Sequence, residues 1–481
     1  MSFQKDNEMA IKIAEKVKEK GGRTFYVGGL VRDELLGKEN KDIDIEIHGV
    51  EFNDLKDILT DLGHIDERKV GDNFGILALK GYDIDIAMPR SEKPTGDGGH
   101  KDFIIETDPF IGYENAAKRR DFTINAMMKD VLSGEVLDYY GGLDDLKNGV
   151  IRHVDDDTFK DDPLRVLRAA QFASRFNFSI ADETVELSKK MDLSQLSRER
   201  IAGELDKALL KSDKPSVFFN ELNKMKQLDT WFPEVKALMD CEQSPLHHPE
   251  GNVYNHTMMV LDEAAKCRKE SSNPRYFMVS TLCHDFGKPE TTAFNEEKGR
   301  VMALGHETAG VSVASGFIKR VYNENDMNKY VKNLVELHME PLRMTSNEKT
   351  SNKSYMKLYD KCVAPEDLIL LSRCDNLGKG NPADYTLKEQ LLREKLGTYK
   401  ELMAKPHVTG QDLIKCGCKP GPEFSEMLRY AHNCRLSGLD KDITMRQMSG
   451  EFSELRKNII QQTLNKAENL PDATDDIQKN V

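Results

Sequence analysis

The sequence predicts a multidomain protein with an α+β head followed by a mostly helical remainder. Three observations carry that expectation. At 481 residues and 38% hydrophobic content, the chain exceeds one ordinary domain and can bury several cores. Up to about residue 150, runs alternating at period two are mixed with helical patterns. From TFKDDPLRVLRAAQFASRF onward the period becomes helical, with Leu164, Leu167, Ala170 and Phe172 along one side and arginines between them.

The elements follow in order. MSFQKDNEMAIKIAEKVKEKGG is a charged amphipathic helix pattern without the apolar stretch of a signal peptide. RTFYVGG reads as a strand ending in a tight turn, and LVRDELLG as a short helix. In KDIDIEI, Ile43, Ile45 and Ile47 share one face, which leaves Asp42, Asp44 and Glu46 on the other. Aspartate is depleted in strands and neighbouring like charges repel, so this run needs a reason. An edge strand with a solvated face would explain the alternation, but not the glycine turn and arginine ahead of it. FGILALKGYDIDIAMPR reads as a pair of strands, with Asp83 and Asp85 alternating against Ile84 and Ile86. KPTGDGGHKD (93–102) and KGNPAD (379–384) mark loops, and NLPDATDDIQKNV a frayed tail.

A net charge of −13 argues against binding nucleic acid through the whole surface, yet permits a local basic groove. Arg165, Arg168, Arg175, Lys189, Lys190, Arg198 and Arg200 form a candidate patch, with solvated helix charges as the plain alternative. No run approaches the roughly 20 apolar residues of a membrane span. The eight cysteines lack the spacing of a disulfide framework or zinc ribbon, which points to a reducing cytoplasm.

Two carboxylates at i and i+2 on one strand face, as in Asp42 and Asp44, can hold Mg²⁺ together with the phosphates of a nucleoside triphosphate. The Gly28–Gly29 turn would let backbone N–H groups approach those phosphates, and Arg32 would neutralise them. Asp85 on a following strand is the candidate third acid, to activate an attacking hydroxyl. In DDPLRVLRAA, Asp162, Arg165 and Arg168 recur every three residues and would face one pocket from a helix. Aspartate accepts from an exocyclic amine and arginine donates to ring nitrogens or carbonyls, so the pair can read a base edge. The alternative is a surface salt bridge.

VGGLVRD, DIDIE, RRDFTINAM, GGLDDL, DDPLRVLRAAQFASRF and SRERIAGEL occur in the order found in the class II tRNA nucleotidyltransferases, the CCA-adding enzymes, which residues 24–210 resemble. That resemblance implies a polymerase-β-like head followed by a helical neck, body and tail. It implies Mg²⁺ at Asp42 and Asp44, and nucleotide contacts from Gly29, Arg32 and Arg120. Asp162 and Arg165 match the amino-acid template that pairs with incoming CTP or ATP, and Arg168 falls in the same pocket. One departure is Gln171, where many members carry another arginine. Residues 91–102 correspond to the flexible loop that helps switch specificity from CTP to ATP.

Downstream, His256, His284-Asp285, His306, His338 and Asp375 follow in an order that resembles the HD phosphohydrolase superfamily. Imidazole and carboxylate together suit a divalent transition metal with open positions for water. The resemblance implies His256, His284, Asp285 and Asp375 as metal positions, with His306 and His338 as further site residues. It looks particularly like the HD domain fused to CCA-adding enzymes of the gammaproteobacterial type, which implies hydrolysis of 2′,3′-cyclic phosphates and 2′- or 3′-phosphates.

The expected organisation is a catalytic head (1–150), a helical neck and body carrying the template and a tRNA surface (151–235), an HD domain (236–380) and a helical tail (381–481). The expected activity is addition of CMP, CMP and AMP to tRNA 3′ ends from CTP and ATP, with pyrophosphate released. Alternatives are A-only addition, a poly(A) polymerase, and an HD phosphohydrolase with a tRNA-binding head.

Overall fold

The computed structural model describes residues 3–65, 76–94, 103–245 and 248–468. The chain divides into two compact units, Met1–Lys236 with Arg320–Tyr322, and the remainder from Ala237. Among the described residues no helix is long and apolar enough to cross a membrane. All eight cysteines are free.

In the first unit, strands β1 (Arg23–Val27), β2 (Ile43–His48), β3 (Ile76–Ala78), β4 (Ile84–Ala87), β7 (Met128–Asp130) and β8 (Val136–Leu137) form a sheet in the order β3-β4-β2-β1-β7-β8. β2 runs antiparallel to β1 and parallel to β4. It is therefore an interior strand, which excludes the edge-strand reading. The pleat sorts its alternation as the sequence implies. Ile43, Ile45 and Ile47 are buried, and the register sets Ile43 against Ile84 and Ile45 against Ile86. The opposite face carries Asp44 beside Asp85 and Glu46 beside Phe25. The helix Phe3–Glu19 buries Met9, Ala10, Ile13, Ala14 and Val17, spaced for one side.

Strands β5 (Arg90–Pro94) and β6 (Phe103–Thr107) pair as an antiparallel ribbon. This corrects the loop expected over 93–102 and 91–102 at its first residues, because backbone pairing overrides the low strand propensity of a Pro- and Lys-containing segment. The rest of that loop, 95–102, lies outside the described residues, as does the tail NLPDATDDIQKNV. The helix Leu164–Phe176 buries Val166, Leu167, Ala169, Ala170 and Ala173 and ends at Asn177 in the left-handed region, φ 58°.

The second unit is helical apart from one hairpin, Thr292–Asn295 with Arg300–Ala303, among the described residues. Its helices Val253–Cys267, Pro274–Cys283, His306–Val321, Asn325–Leu337 and Pro365–Leu377 carry or abut the histidines and aspartates of interest. Asn252 and Asn273 cap the first two, accepting from the backbone N–H groups of Asn255 and Tyr276. Farther on, Leu413, Met427, Ala431, Met448 and Leu455 form a separate small core.

Candidate active sites

The first site sits where β1 turns into the helix Gly29–Leu35. Gly28 adopts φ 67° and ψ −126°, a conformation that strains any other residue. A Cβ there would lie 3.6 Å from Arg120 Nη1 and 3.9 Å from Asp44 Oδ2. The turn, the arginine and the acid thus meet around one space. Asp44 is half-buried and its carboxyl is pushed up by burial and by Asp85 and Asp42, with Arg120 opposing. Asp42 and Asp85 are exposed, and Asp85 lies across the parallel strand pair from Asp44. An acid raised by two neighbouring carboxylates is the kind of donor set that a hard divalent cation relieves.

A cavity of about 770 Å³ opens there, lined by Gly28, Gly29, Asp42 and Asp44 and by Arg32, Arg120, Arg165, Arg168 and Arg175. Arg32 is buried: its Nε and Nη2 donate to Asp33 Oδ1 at 2.8 and 2.6 Å and its Nη1 to Asn125 Oδ1 at 2.6 Å. Its guanidinium lies over Phe172 and Phe176, at 5.2 and 4.7 Å from the ring centroids. Arg168 donates to Asp121 Oδ2 at 2.8 Å through Nε. Burial would raise the Asp121 carboxyl, but Arg168, Asn125 and Arg165 outweigh it and hold it low.

Asp162 and Arg165 reach the same cavity, but their side chains are not partners; only the backbone N–H of Arg165 donates to the Asp162 carbonyl, at 3.0 Å. Asp162 precedes the helix rather than lying on it, its Oδ1 accepting from the backbone N–H of Leu164 at 3.1 Å, because Pro163 occupies the helix start. Its carboxylate accepts from Arg200 Nη2 at 2.9 and 2.7 Å. Arg165 donates to the carbonyls of Thr158 and Arg119, at 2.6 and 2.7 Å. The i,i+3 salt bridge is therefore corrected to a pairing with Arg200. Gln171 also lines the cavity at 1% exposure, and its Nε2 has no hydrogen-bond partner among the described residues. Of the wider basic patch, Arg165, Arg168 and Arg175 face this cavity, whereas Lys189 and Arg198 pair with Glu186 and Glu199.

The second site gathers residues from 256 to 375 around Asp285, which is 2% exposed. His284 Nε2 stands 3.2 Å and His256 Nε2 3.8 Å from Asp285 Oδ2. His306 Nε2 and His338 Nε2 stand 3.4 and 3.8 Å from Oδ1. His256 Nε2 is also 3.0 Å from Asp375 Oδ1. The packing of Gly287 draws these elements together, since a Cβ there would fall 2.1 Å from the carbonyl oxygen of His306.

The hydrogen bonds on the far side of each ring set the tautomers. Nδ1 of His284, His306 and His338 lies 2.7, 2.8 and 2.7 Å from the carbonyls of Thr281, Ala303 and Val335. A carbonyl only accepts, so each Nδ1 carries a proton and Nε2 is the ring atom turned inward, the one a metal would take. His306 Nε2 and His338 Nε2 face each other at 3.2 Å, and His284 Nε2 has no hydrogen-bond partner among the described residues. Burial with His284 and His306 holds the His338 imidazolium down to about 4. Burial would raise the Asp285 carboxyl, yet His284, Lys288 and His306 hold it well below the usual range. Inward Nε2 atoms around a buried carboxylate fit a divalent metal, and His256, His284 and Asp285 form one candidate group and Asp285, His306 and His338 another.

Comparison with known proteins finds family matches over both regions of the chain. Residues 24–152 match the poly A polymerase head domain, 177–239 the "Probable RNA and SrmB-binding site of polymerase A", and 253–377 the HD domain. A multifunctional CCA protein of Haemophilus ducreyi is 38% identical over 271 residues, which cover 55% of this chain and 63% of that relative. That of Nitrosospira multiformis is 33% identical over 364 residues, 74% of this chain and 84% of the relative. The chain belongs to the multifunctional CCA protein family. The solved structure of the Thermotoga maritima CCA-adding enzyme complexed with tRNA shares the fold, with a TM-score of 0.61 and 22% identity over 92% of this chain and 95% of that one.

In this member of the CCA protein family, several side chains at the sites escaped sequence reasoning. Glu46 continues the acid alternation but is 8% exposed and bound to Arg120 Nη2 at 2.9 Å and His48 Nε2 at 3.0 Å. Burial would raise its carboxyl, but Arg120 and His48 pull it down to about 2. Glu250 accepts from Nδ1 of His256 at 3.0 Å and of His248 at 2.8 Å. HHPE ahead of YNH was a signal for it, a carboxylate six residues before a candidate ligand. Asn125 and Asp121 lay within RRDFTINAM, and only their partners, Arg32 and Arg168, reveal what they hold.

Proposed function

We propose that the chain is a CCA-adding tRNA nucleotidyltransferase that extends tRNA 3′ ends with CTP and ATP and carries a second, hydrolytic HD site. The observation that carries the first activity is the single cavity in which Asp42 and Asp44 face Arg32, Arg120, Arg165 and Arg168. Asp42 and Asp44, with Asp85 beside them, would hold Mg²⁺, which when bound lowers the barrier by neutralising charge on the attacking and leaving oxygens. The arginines bind and orient the triphosphate, and the open turn at Gly28–Gly29 brings backbone N–H groups close to it. Arg120, anchored by Glu46, is held beside Asp44 without a rotamer search. Asp162 and Arg165 choose the base by exchanging their protein partners, Arg200 and two carbonyls, for the edge of cytosine or adenine. tRNA is the acceptor, and a cytoplasmic setting suits substrate and free thiols alike.

At the second site His256, His284, Asp285 and Asp375 would hold a divalent transition metal, with His306 and His338 at its open side; when bound, it supplies an activated water and a clamp for a phosphoryl oxygen. Cyclic and terminal phosphates of RNA ends are the substrates that suit it. The two readings separate by mutation. Asp42→Ala should abolish nucleotide addition and leave phosphohydrolysis within twofold of the parent, and parallel loss of both activities would contradict two independent sites.

A further inference from the structure

The cavity holding the HD cluster does not end at it. Asp285, His306, His338 and Asp375 line a space of about 460 Å³ together with Met302, Leu304, Met339 and Leu342. A second cavity, of about 660 Å³, adjoins it through Ser244, Arg300 and Val301 and is lined further by Pro245, Phe294 and Lys298. Both are built on the hairpin Thr292–Asn295 and Arg300–Ala303, whose register sets Phe294 against Val301. Phe294 is 62% and Leu304 66% exposed. Scattered apolar residues on a surface need no explanation, but an exposed phenyl ring lining a cavity that adjoins a metal-ligating one is a ready stacking surface.

We infer that this hairpin is a landing for the last nucleotides of an RNA, with Phe294 stacking on a base one step in from the terminal phosphate ester. The inference rests on the hydrolytic reading of the HD site and adds to it a contact for the nucleotide next to the terminal phosphate ester. The first cavity has the size of one small ligand. A mononucleotide fills it and leaves the adjoining space, with its phenyl ring, to the preceding nucleotide. Charge agrees: Lys288, Arg300, Arg343 and Lys379 line the first cavity, and the acids among its lining are Glu242, Asp285 and Asp375, the last two in the metal-ligating cluster. At the hairpin's turn the exposed Lys298 stands beside the exposed Glu296 and Glu297, so the cations that favour RNA are those lining the cavities. On a chain of net charge −13, cations next to an open aromatic ring suit a single strand, whose phosphates and unstacked bases meet both. Stacking is indifferent to sequence, which suits a site that takes any RNA end.

The test compares 2′,3′-cyclic AMP with a tetraribonucleotide ending in a 2′,3′-cyclic phosphate, in wild type, Phe294→Ala and Phe294→Trp. Phe294→Ala should lower kcat/KM for the tetranucleotide about 10-fold, through KM, the lower part of what base–aromatic stacking provides. The mononucleotide rate should stay within twofold, and Phe294→Trp should restore the tetranucleotide. Binding of the same tetranucleotide, followed by fluorescence anisotropy, separates the two readings. A 10-fold affinity difference without hydrolysis of either substrate would remove the hydrolytic reading and keep the landing surface. Equal affinities, or equal losses on both substrates, would overturn it and leave Phe294 to a protein partner.

Discussion

Glu46 offers the sharpest contrast between what its position implies and what its contacts do. It follows Asp42 and Asp44 at the same spacing, so by pattern it is a third metal acid, whereas its oxygens are taken by Arg120 and His48. Holding the carboxyl at about 2 instead of its ordinary 4.5 favours the charged form by about 3 kcal/mol. Arg120 is 29% exposed, and solvent there reduces the expected loss on Glu46→Gln to about 2 kcal/mol. Because the folded pKa is depressed, this stabilisation is full above pH 4.5 and disappears as pH falls toward 2; urea unfolding of the variant and parent should converge over that window. With Asp42 and Asp44 intact, Glu46→Gln should retain addition, with KM for CTP raised roughly 10-fold as Arg120 loses its anchor. Single-turnover kinetics with urea melts measure both. A variant as stable as the parent yet as inactive as Asp44→Asn would refute the anchoring role and return Glu46 to the metal acids.

Other outcomes follow from the same geometry. Asp44→Asn should lower nucleotide addition by more than about 10³-fold, an electrostatic loss at the reacting centre, without changing hydrolysis of a cyclic phosphate. Gln171→Leu should leave stability equal or slightly higher, since it removes an unpaired buried amide, and should raise KM for CTP and ATP if that amide donates to bound nucleotide; an unchanged KM assigns Gln171 to packing alone. Glu250→Gln should weaken metal binding about 10–100-fold in a chelator competition titration, because it releases the rings of His256 and His248. Ile45→Ala, at the middle of the interior strand, should cost about 2–5 kcal/mol in urea unfolding.

The parts of this fold legible in the sequence are those written as periodicity. KDIDIEI gave up its two faces because side chains on a strand alternate, and Leu164 to Phe172 its buried side because a helix repeats every 3.6 residues. Partner choice was not legible. The side chains of Asp162 and Arg165 are spaced to meet, yet Arg200, 38 residues on, takes the carboxylate, and the carbonyls of Thr158 and Arg119 take the guanidinium. The HD histidines could be put in order but not in tautomer, since the carbonyls of Thr281, Ala303 and Val335 that set each ring are backbone groups present at every residue. The hairpin carrying Phe294 was hidden because NEEKGR reads as a polar stretch between helices, and its strands pair only four residues each.

Single-turnover extension of three tRNAs, ending at the discriminator base, at C and at CC, with CTP, ATP or both, tests the central claim most directly, with Asp42→Ala as control. Ordered growth to CCA that then stops, absent from the variant, is the predicted result. Addition of A alone to the CC-ended tRNA, long A tails, or extension that survives Asp42→Ala would contradict it.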